Sequence, residues 1–153
     1  MLAPRNRITA PERSRVFRAA PVELASAREF LRERCREAGV AGAAADDVVI
    51  AASEACSNAV VHSGGASFRL SWRHAGDLVE VRVRDEGRFG RAVASDTERH
   101  GGNGLPLMTA LMDEVSVRRG TTLRPGTEVR LVKRLAAVVR PLRSLVRRPA
   151  VGG

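Results

Sequence analysis

Glu54-Ala55-Cys56-Ser57-Asn58-Ala59-Val60-Val61-His62 is the stretch on which the fold turns. It lies in a run from about Ala43 to His62 whose apolar positions, Val48, Ala52, Ala55, Cys56 and Ala59, recur at helical spacing. Small side chains in that stripe let a helix approach a sheet closely. Glu54, Asn58 and His62 are four residues apart, so they form one row along the same helix. A carboxylate, a carboxamide and an imidazole in one row stand out on a helix otherwise built from Ala and Val. The amide oxygen of Asn58 is a hard, neutral donor suited to Mg²⁺, which prefers oxygen and keeps waters and phosphates. Glu54, one turn earlier, could take a proton from a hydroxyl or orient a nucleophile. A plain solvated helix face is the competing explanation for the row.

Outward from this helix, the chain alternates between two periodicities. Towards the N-terminus, Pro21 suits a first helical turn, and Val22, Ala25, Phe30 and Leu31 predict an amphipathic helix ending near Ala38, stopped by Gly39. Ser14–Ala20, with Val16 and Phe17, reads as a short edge strand. Beyond Gly64-Gly65, Phe68, Leu70 and Trp72 alternate with Arg69, Ser71 and Arg73; after a turn at Gly76-Asp77, Val79, Val81 and Val83 alternate with Glu80, Arg82 and Arg84. One apolar and one wet face predict an antiparallel hairpin packed on helices. The polar stretch 86–101 has the length of a lid. A helix over about Asn103–Met112 and strands at Val115–Val117 and Val129–Val132, around a turn at Pro125-Gly126, complete the order. Strand, helix, helix, strand, strand, helix, strand, strand describes an α+β sandwich in two layers, with helices on one face of a mixed, mostly antiparallel sheet. It is not a Rossmann alternation.

Composition narrows the class. The chain of 153 residues is 44% hydrophobic, 28% charged and only 3% aromatic, so Val, Leu and Ala must build the core of a single soluble domain. No apolar run reaches the ~20 residues a membrane helix needs, and the N-terminus lacks a secretory pattern. Cys35 and Cys56 suit neither a disulfide framework nor metal-ligand spacing. A cytoplasmic location is the expectation. The net charge of +9 is unevenly spread. Residues 1–18 carry five arginines against Glu12, and 133–153 carry six basic residues and no acid, which leaves −1 for everything between. Residues 1–14, which lack periodicity, read as a disordered basic arm, 15–135 as the folded domain and 136–153 as a basic tail that Pro141 interrupts. A near-neutral, aromatic-poor interior argues against a specific nucleic-acid module, and the tails offer at most weak contact with an anionic membrane.

Three further motifs carry chemistry. Asp85-Glu86-Gly87 closes a strand, where a carboxylate can accept hydrogen bonds and a glycine lets backbone approach a planar ligand. Gly101-Gly102-Asn103-Gly104-Leu105 opens a helix, where amides without Cβ obstruction and the helix dipole favour an anion. Gly126-Thr127 starts the last strand with a hydroxyl residue. Each has an ordinary explanation as a turn or helix start when taken singly.

Their order, Glu-x-x-x-Asn helix, Asp-x-Gly strand end, lid, Gly-x-Gly-Leu helix start and Gly-Thr strand, resembles the GHKL ATPases of the Bergerat fold over about residues 15–135. Within that superfamily, Glu54-Ala-x-x-Asn58-Ala-x-x-His62 and Leu111-Met-Asp-Glu-Val115 resemble the anti-sigma factor serine/threonine kinases. The resemblance implies that ATP and Mg²⁺ are the cofactors, that Asn58 ligates the Mg²⁺ and that Glu54 is the general base. It also implies that Asp85 receives the adenine amino group, helped by Gly87 and by the Thr127 hydroxyl, and that Gly102, Asn103, Gly104 and Leu105 wrap the phosphates. His62 belongs to the same nucleotide motif. One departure is visible: Asp85-Glu-Gly87-Arg-Phe-Gly90 displaces the family's second lid glycine by one. No residue here is a built-in phosphoacceptor, so the resemblance implies a kinase acting on a Ser or Thr of an anti-anti-sigma (STAS-type) antagonist. It would control a sigma factor by partner switching, as a homodimer. A non-catalytic, ATP-gated binding module is the alternative.

Overall fold

A computed structural model describes residues 8–62, 64–87 and 104–136. The first half of the arm, the lid after Gly87, Gly102, Asn103 and most of the basic tail lie outside the described residues. In chain order the elements are β1 (Arg13–Arg18), α1 (Glu23–Glu37), α2 (Gly42–His62), β2 (Ser67–Ala75), β3 (Leu78–Asp85), α3 (Gly104–Leu111), β4 (Glu114–Arg119) and β5 (Thr127–Arg134). They form a two-layer α+β sandwich. The sheet order is β1-β2-β3-β5-β4, and every neighbouring pair is antiparallel. This is the limiting case of the mostly antiparallel sheet expected from the sequence.

The register sorts side chains by face. Phe68, Leu70 and Trp72 of β2, Val79, Val81 and Val83 of β3, and Val129 and Leu131 of β5 are buried on the helix side. α2 lies across these three strands, with α1 and α3 packed on either side of it. Its contact stripe is Val48, Ala51, Ala52, Ala55, Cys56 and Ala59, all buried. With only methyl-sized groups over much of that stripe, helix and sheet approach closely and leave few voids. Phe17 stacks on Phe68 at a centroid separation of 5.5 Å and meets Phe30 edge-on at 6.3 Å, which fastens the edge strand β1 to both layers.

Local sequence sets the boundaries. α1 ends in a Schellman motif: Val40 N–H donates to Cys35 O, Gly39 N–H donates to Arg36 O, and Gly39 takes φ +70°. The left-handed turn needed there is the reason for glycine. Lys133 joins three elements from the helix side of β5. Its Nζ lies 2.8 Å from Asp47 Oδ2 on α2 and donates to Leu111 O, at the end of α3, over 2.7 Å.

The outer face of the sheet is polar but not bare. Residues 8–14, expected to belong to a structureless arm, instead reach it. Ile8 is buried against Leu78 and Val132, and Glu12 bonds Ser71 and pairs with Arg73 at 2.8 Å. A single apolar side chain meeting a two-residue hollow leaves no periodic trace in sequence. Glu80 is also buried on this face, held between Arg82 at 2.9 Å and Arg130 at 2.6 Å.

Both cysteines are buried and free. Burial pushes the Cys56 thiol from 9.0 up to about 12, and burial with the nearby Asp46 charge pushes Cys35 up to about 11. Cys56 is therefore inert packing, as its place off the Glu54–Asn58 row implied.

Two outcomes follow for stability. Lys133→Met leaves the Asp47 carboxylate and the Leu111 carbonyl without their donor, and urea denaturation should show a loss of about 1–3 kcal/mol. The raised thiols stay protonated in the folded state at pH values where the unfolded chain ionises. Stability should therefore decline as pH rises from about 9 towards 11–12, and the native protein at neutral pH should resist thiol reagents that label the unfolded chain fully.

Candidate functional site

The predicted row is real. α2 runs unbroken from Gly42 to His62, so Glu54, Asn58 and His62 share one side of it, each half-buried, next to the fully buried stripe that touches the sheet. Beside this row stands the start of α3. A Cβ at Gly104 would lie 3.2 Å from Asn58 Nδ2 and 3.8 Å from Glu54 Oε2. Glycine here lets the first turn of α3, with its unpaired amides, stand against the two polar side chains. Among the described residues the Asn58 carboxamide makes no hydrogen bond. Leu105, half-exposed, follows directly.

A second cluster forms where β3 ends and β5 begins. Asp85 is on the helix side of the sheet, in register with Phe68, and only 8% exposed. Its Oδ1 accepts from Gly87 N–H at 3.0 Å and from Thr127 N–H at 3.2 Å. One oxygen is thus spent on holding the carboxylate still, which leaves Oδ2 without a partner among the described residues. The contact from Thr127 to Asp85 comes from its backbone N–H.

Two glycines close the surroundings of Asp85. Gly126 has φ +120°, and a Cβ there would collide with the Asp85 carbonyl oxygen. Gly65, just after α2, backs onto the Glu86–Gly87 peptide: a Cβ would lie 3.4 Å from Gly87 N. Gly65 is the site residue that sequence reasoning missed. Nothing but the doubled glycine could have signalled it.

The structure therefore brings Glu54, Asn58 and Gly104 together, and separately Asp85, Gly87 and Thr127. Both groups lie on the helix side of the sheet. Gly102 and Asn103 fall outside the described residues.

Residues 17–133 match the family described as the histidine kinase-like ATPase domain. The chain belongs to that family. Its fold is similar to the crystal structure of the RsbU and RsbW domains of Rv1364c from Mycobacterium tuberculosis, with a TM-score of 0.65 and 27% identity over 82% of this chain. That match takes in 33% of the other protein's chain, so this chain spans about a third of that protein. No curated protein matches the chain in sequence.

Membership of an ATPase family implies ATP binding, and the donors present fit a nucleotide. A buried carboxylate with one free oxygen suits an exocyclic amine. A free carboxamide facing a helix start suits a cation shared with phosphates. Among the described residues no group of three His, Cys, Asp or Glu is placed to hold a metal ion. A cation drawing on Asn58 could complete its shell with phosphates and water, the usual habit of Mg²⁺. No helix among the described residues is long and apolar enough to cross a membrane.

Gly126→Ala tests how tightly the Asp85 corner is built. The added methyl meets backbone at a strained φ, so a loss of at least about 2 kcal/mol is expected in denaturation. Gly76→Ala, at φ +58° with open space around it, should cost about 1 kcal/mol.

Proposed function

We propose that the protein is an ATP- and Mg²⁺-dependent serine/threonine kinase of the anti-sigma factor type. The observation that carries this reading is the placement of Glu54 beside Asn58, both against the backbone of Gly104. A nucleotide-binding module needs a cation ligand at that spot; it has no need of a carboxylate next to it. Phosphoryl transfer to a hydroxyl needs both.

The roles follow from the chemistry of each group. Asp85 Oδ2 accepts from the adenine amino group, and the two backbone donors on Oδ1 keep the carboxylate oriented. Gly87, buried beside it, lets the base approach the backbone, and Thr127 fixes the carboxylate from the opposite strand. Gly104 and Leu105, with Gly102 and Asn103 before them, present backbone amides to the phosphates at the positive end of α3. Asn58 would hold Mg²⁺, which when bound neutralises charge on the phosphates. His62 extends the row by one more turn. Glu54 accepts the proton of an incoming Ser or Thr hydroxyl as its oxygen bonds to the γ-phosphorus and the bond to the β-phosphate oxygen breaks. Catalysis is then mainly positioning and charge stabilisation.

By the resemblance to anti-sigma factor kinases, the acceptor is a residue of another protein. The resemblance to anti-sigma factor kinases, together with the likeness to a structure that includes an RsbW domain, supports an antagonist of the STAS type as that protein. A sigma factor is then the second partner, and the working unit is a homodimer.

Calorimetric titration with Mg·ATP and a transfer assay on such an antagonist test this reading. Asn58→Ala and Asp85→Asn should each weaken nucleotide binding about tenfold or more, which is at least ~1.4 kcal/mol. Glu54→Gln should bind nucleotide within about threefold of the parent but lose transfer by roughly 10²–10⁴. Unchanged binding in both site variants would remove the assignment. A parent protein that binds ATP, alters partner affinity with it and never labels an antagonist would be an ATP-gated module instead.

A further inference from the structure

The near-neutral interior charge conceals a separation that only the sheet register reveals. On the outer face of the sheet, away from the helices and the nucleotide site, arginine outnumbers carboxylate. Several of those arginines have carboxylate partners: Arg73 pairs with Glu12, Arg82 and Arg130 enclose Glu80, Arg18 pairs with Glu23, and Arg134 lies 4.0 Å from Glu114. One cross-strand row is different. It runs Val16, Arg69, Arg84 from β1 through β2 to β3. Arg69 and Arg84 stand directly opposite each other on neighbouring strands, and both are exposed. Like charges so placed, with Cβ atoms about 5 Å apart, oppose folding. Arg69 reaches only the Ser14 hydroxyl, over 3.4 Å, and neither arginine has a carboxylate partner among the described residues. Glu128 lies next in the row, yet it is shared in register with Arg118 on its other side. Val16, at the row's other end, is an apolar side chain left 50% exposed.

We propose that the row Val16–Arg69–Arg84 is a docking surface for an acidic segment of a partner protein, one that presents carboxylates beside an apolar side chain. Adjacent guanidinium forks match carboxylates bidentately, and a flat strand surface offers them at one level. The exposed Val16 adds an apolar contact that a nucleic-acid backbone would not use. Among the described residues the face carries no exposed aromatic for base stacking. A second copy of this chain meets the row with the same arginines, which favours an unlike occupant. The surface is on the opposite side of the sheet from Asp85 and Glu54, so it does not rest on the kinase reading and would serve a partner even if no phosphate were transferred.

The test uses the full chain and a short fluorescein-labelled peptide of repeating Glu-Leu-Glu, read by anisotropy at physiological salt. Arg69→Ser with Arg84→Ser removes two exposed charges and relieves their mutual repulsion, so the fold should be retained or slightly stabilised. That double variant should bind the peptide roughly tenfold more weakly. Val16→Ser should weaken it by about threefold, while Mg·ATP binding stays unchanged in both. Arg32→Ala with Arg36→Ala removes the same charge from α1 and should leave peptide affinity within about twofold. Three results would overturn the proposal. One is equal loss in the α1 control, which would make the binding a matter of net charge. Another is an oligothymidine that binds at least as tightly and depends equally on Arg69 and Arg84. The last is sedimentation showing that the Arg69/Arg84 variant loses self-association while its peptide affinity is unaltered.

Discussion

A single carboxylate oxygen ties together two strands at one end of this protein's sheet. Asp85 Oδ1 receives the N–H groups of Gly87 and Thr127, which ties the end of β3 to the start of β5, strands separated in sequence by the lid, α3 and β4. The two donors hold the carboxylate in one orientation within a mostly buried corner. Hydrogen bonds to an ionised acceptor are among the stronger ones available to a fold. With one oxygen so held, the other would meet a ligand with no further ordering of the side chain, which is what preorganisation means in energetic terms. Gly126 and Gly65 are consequences of the same constraint, because backbone must pass where any side chain would collide.

The other half of the site depends on smallness. α2 lies close against β2, β3 and β5 because its buried stripe is largely alanine. That closeness carries the neighbouring Glu54–Asn58 row to the edge of the helical layer, where α3 begins with a glycine. A bulkier stripe would raise the helix off the sheet and move both polar side chains. Core packing and site geometry are thus one property of α2, and Lys133 links them to the sheet by bonding α2 and α3 at once. A nucleotide bridging the Asp85 corner and the Asn58 row would add a further tie between the sheet and the helical layer.

Much of this was legible in sequence, and the reasons are local. Alternation in Phe68–Arg73 and Val79–Arg84 sets the hairpin because a pleated strand has a period of two. Gly39 and Gly64 mark helix ends because left-handed turns need them. The row at 54, 58 and 62 needed only helical spacing. What escaped depends on contacts between distant parts of the chain. Ile8 acquires its meaning only from Leu78 and Val132. The part of Thr127 that meets Asp85 is its backbone, which no residue type can announce. The charge sum over 19–132 was correct and still misleading, since it hides an outer sheet face where Arg69 and Arg84 stand side by side.

The central claim is that the Asp85 corner and the Glu54–Asn58 row are two ends of one nucleotide site. Amide chemical-shift mapping with adenosine, and then with Mg²⁺ and a non-hydrolysable ATP analogue, addresses it directly. Adenosine should shift the Gly87 and Thr127 amides and leave Gly104 in place; the triphosphate should shift all three together with the Asn58 side-chain amide. Shifts confined to one cluster with the triphosphate, or spread over the outer face of the sheet, would contradict it.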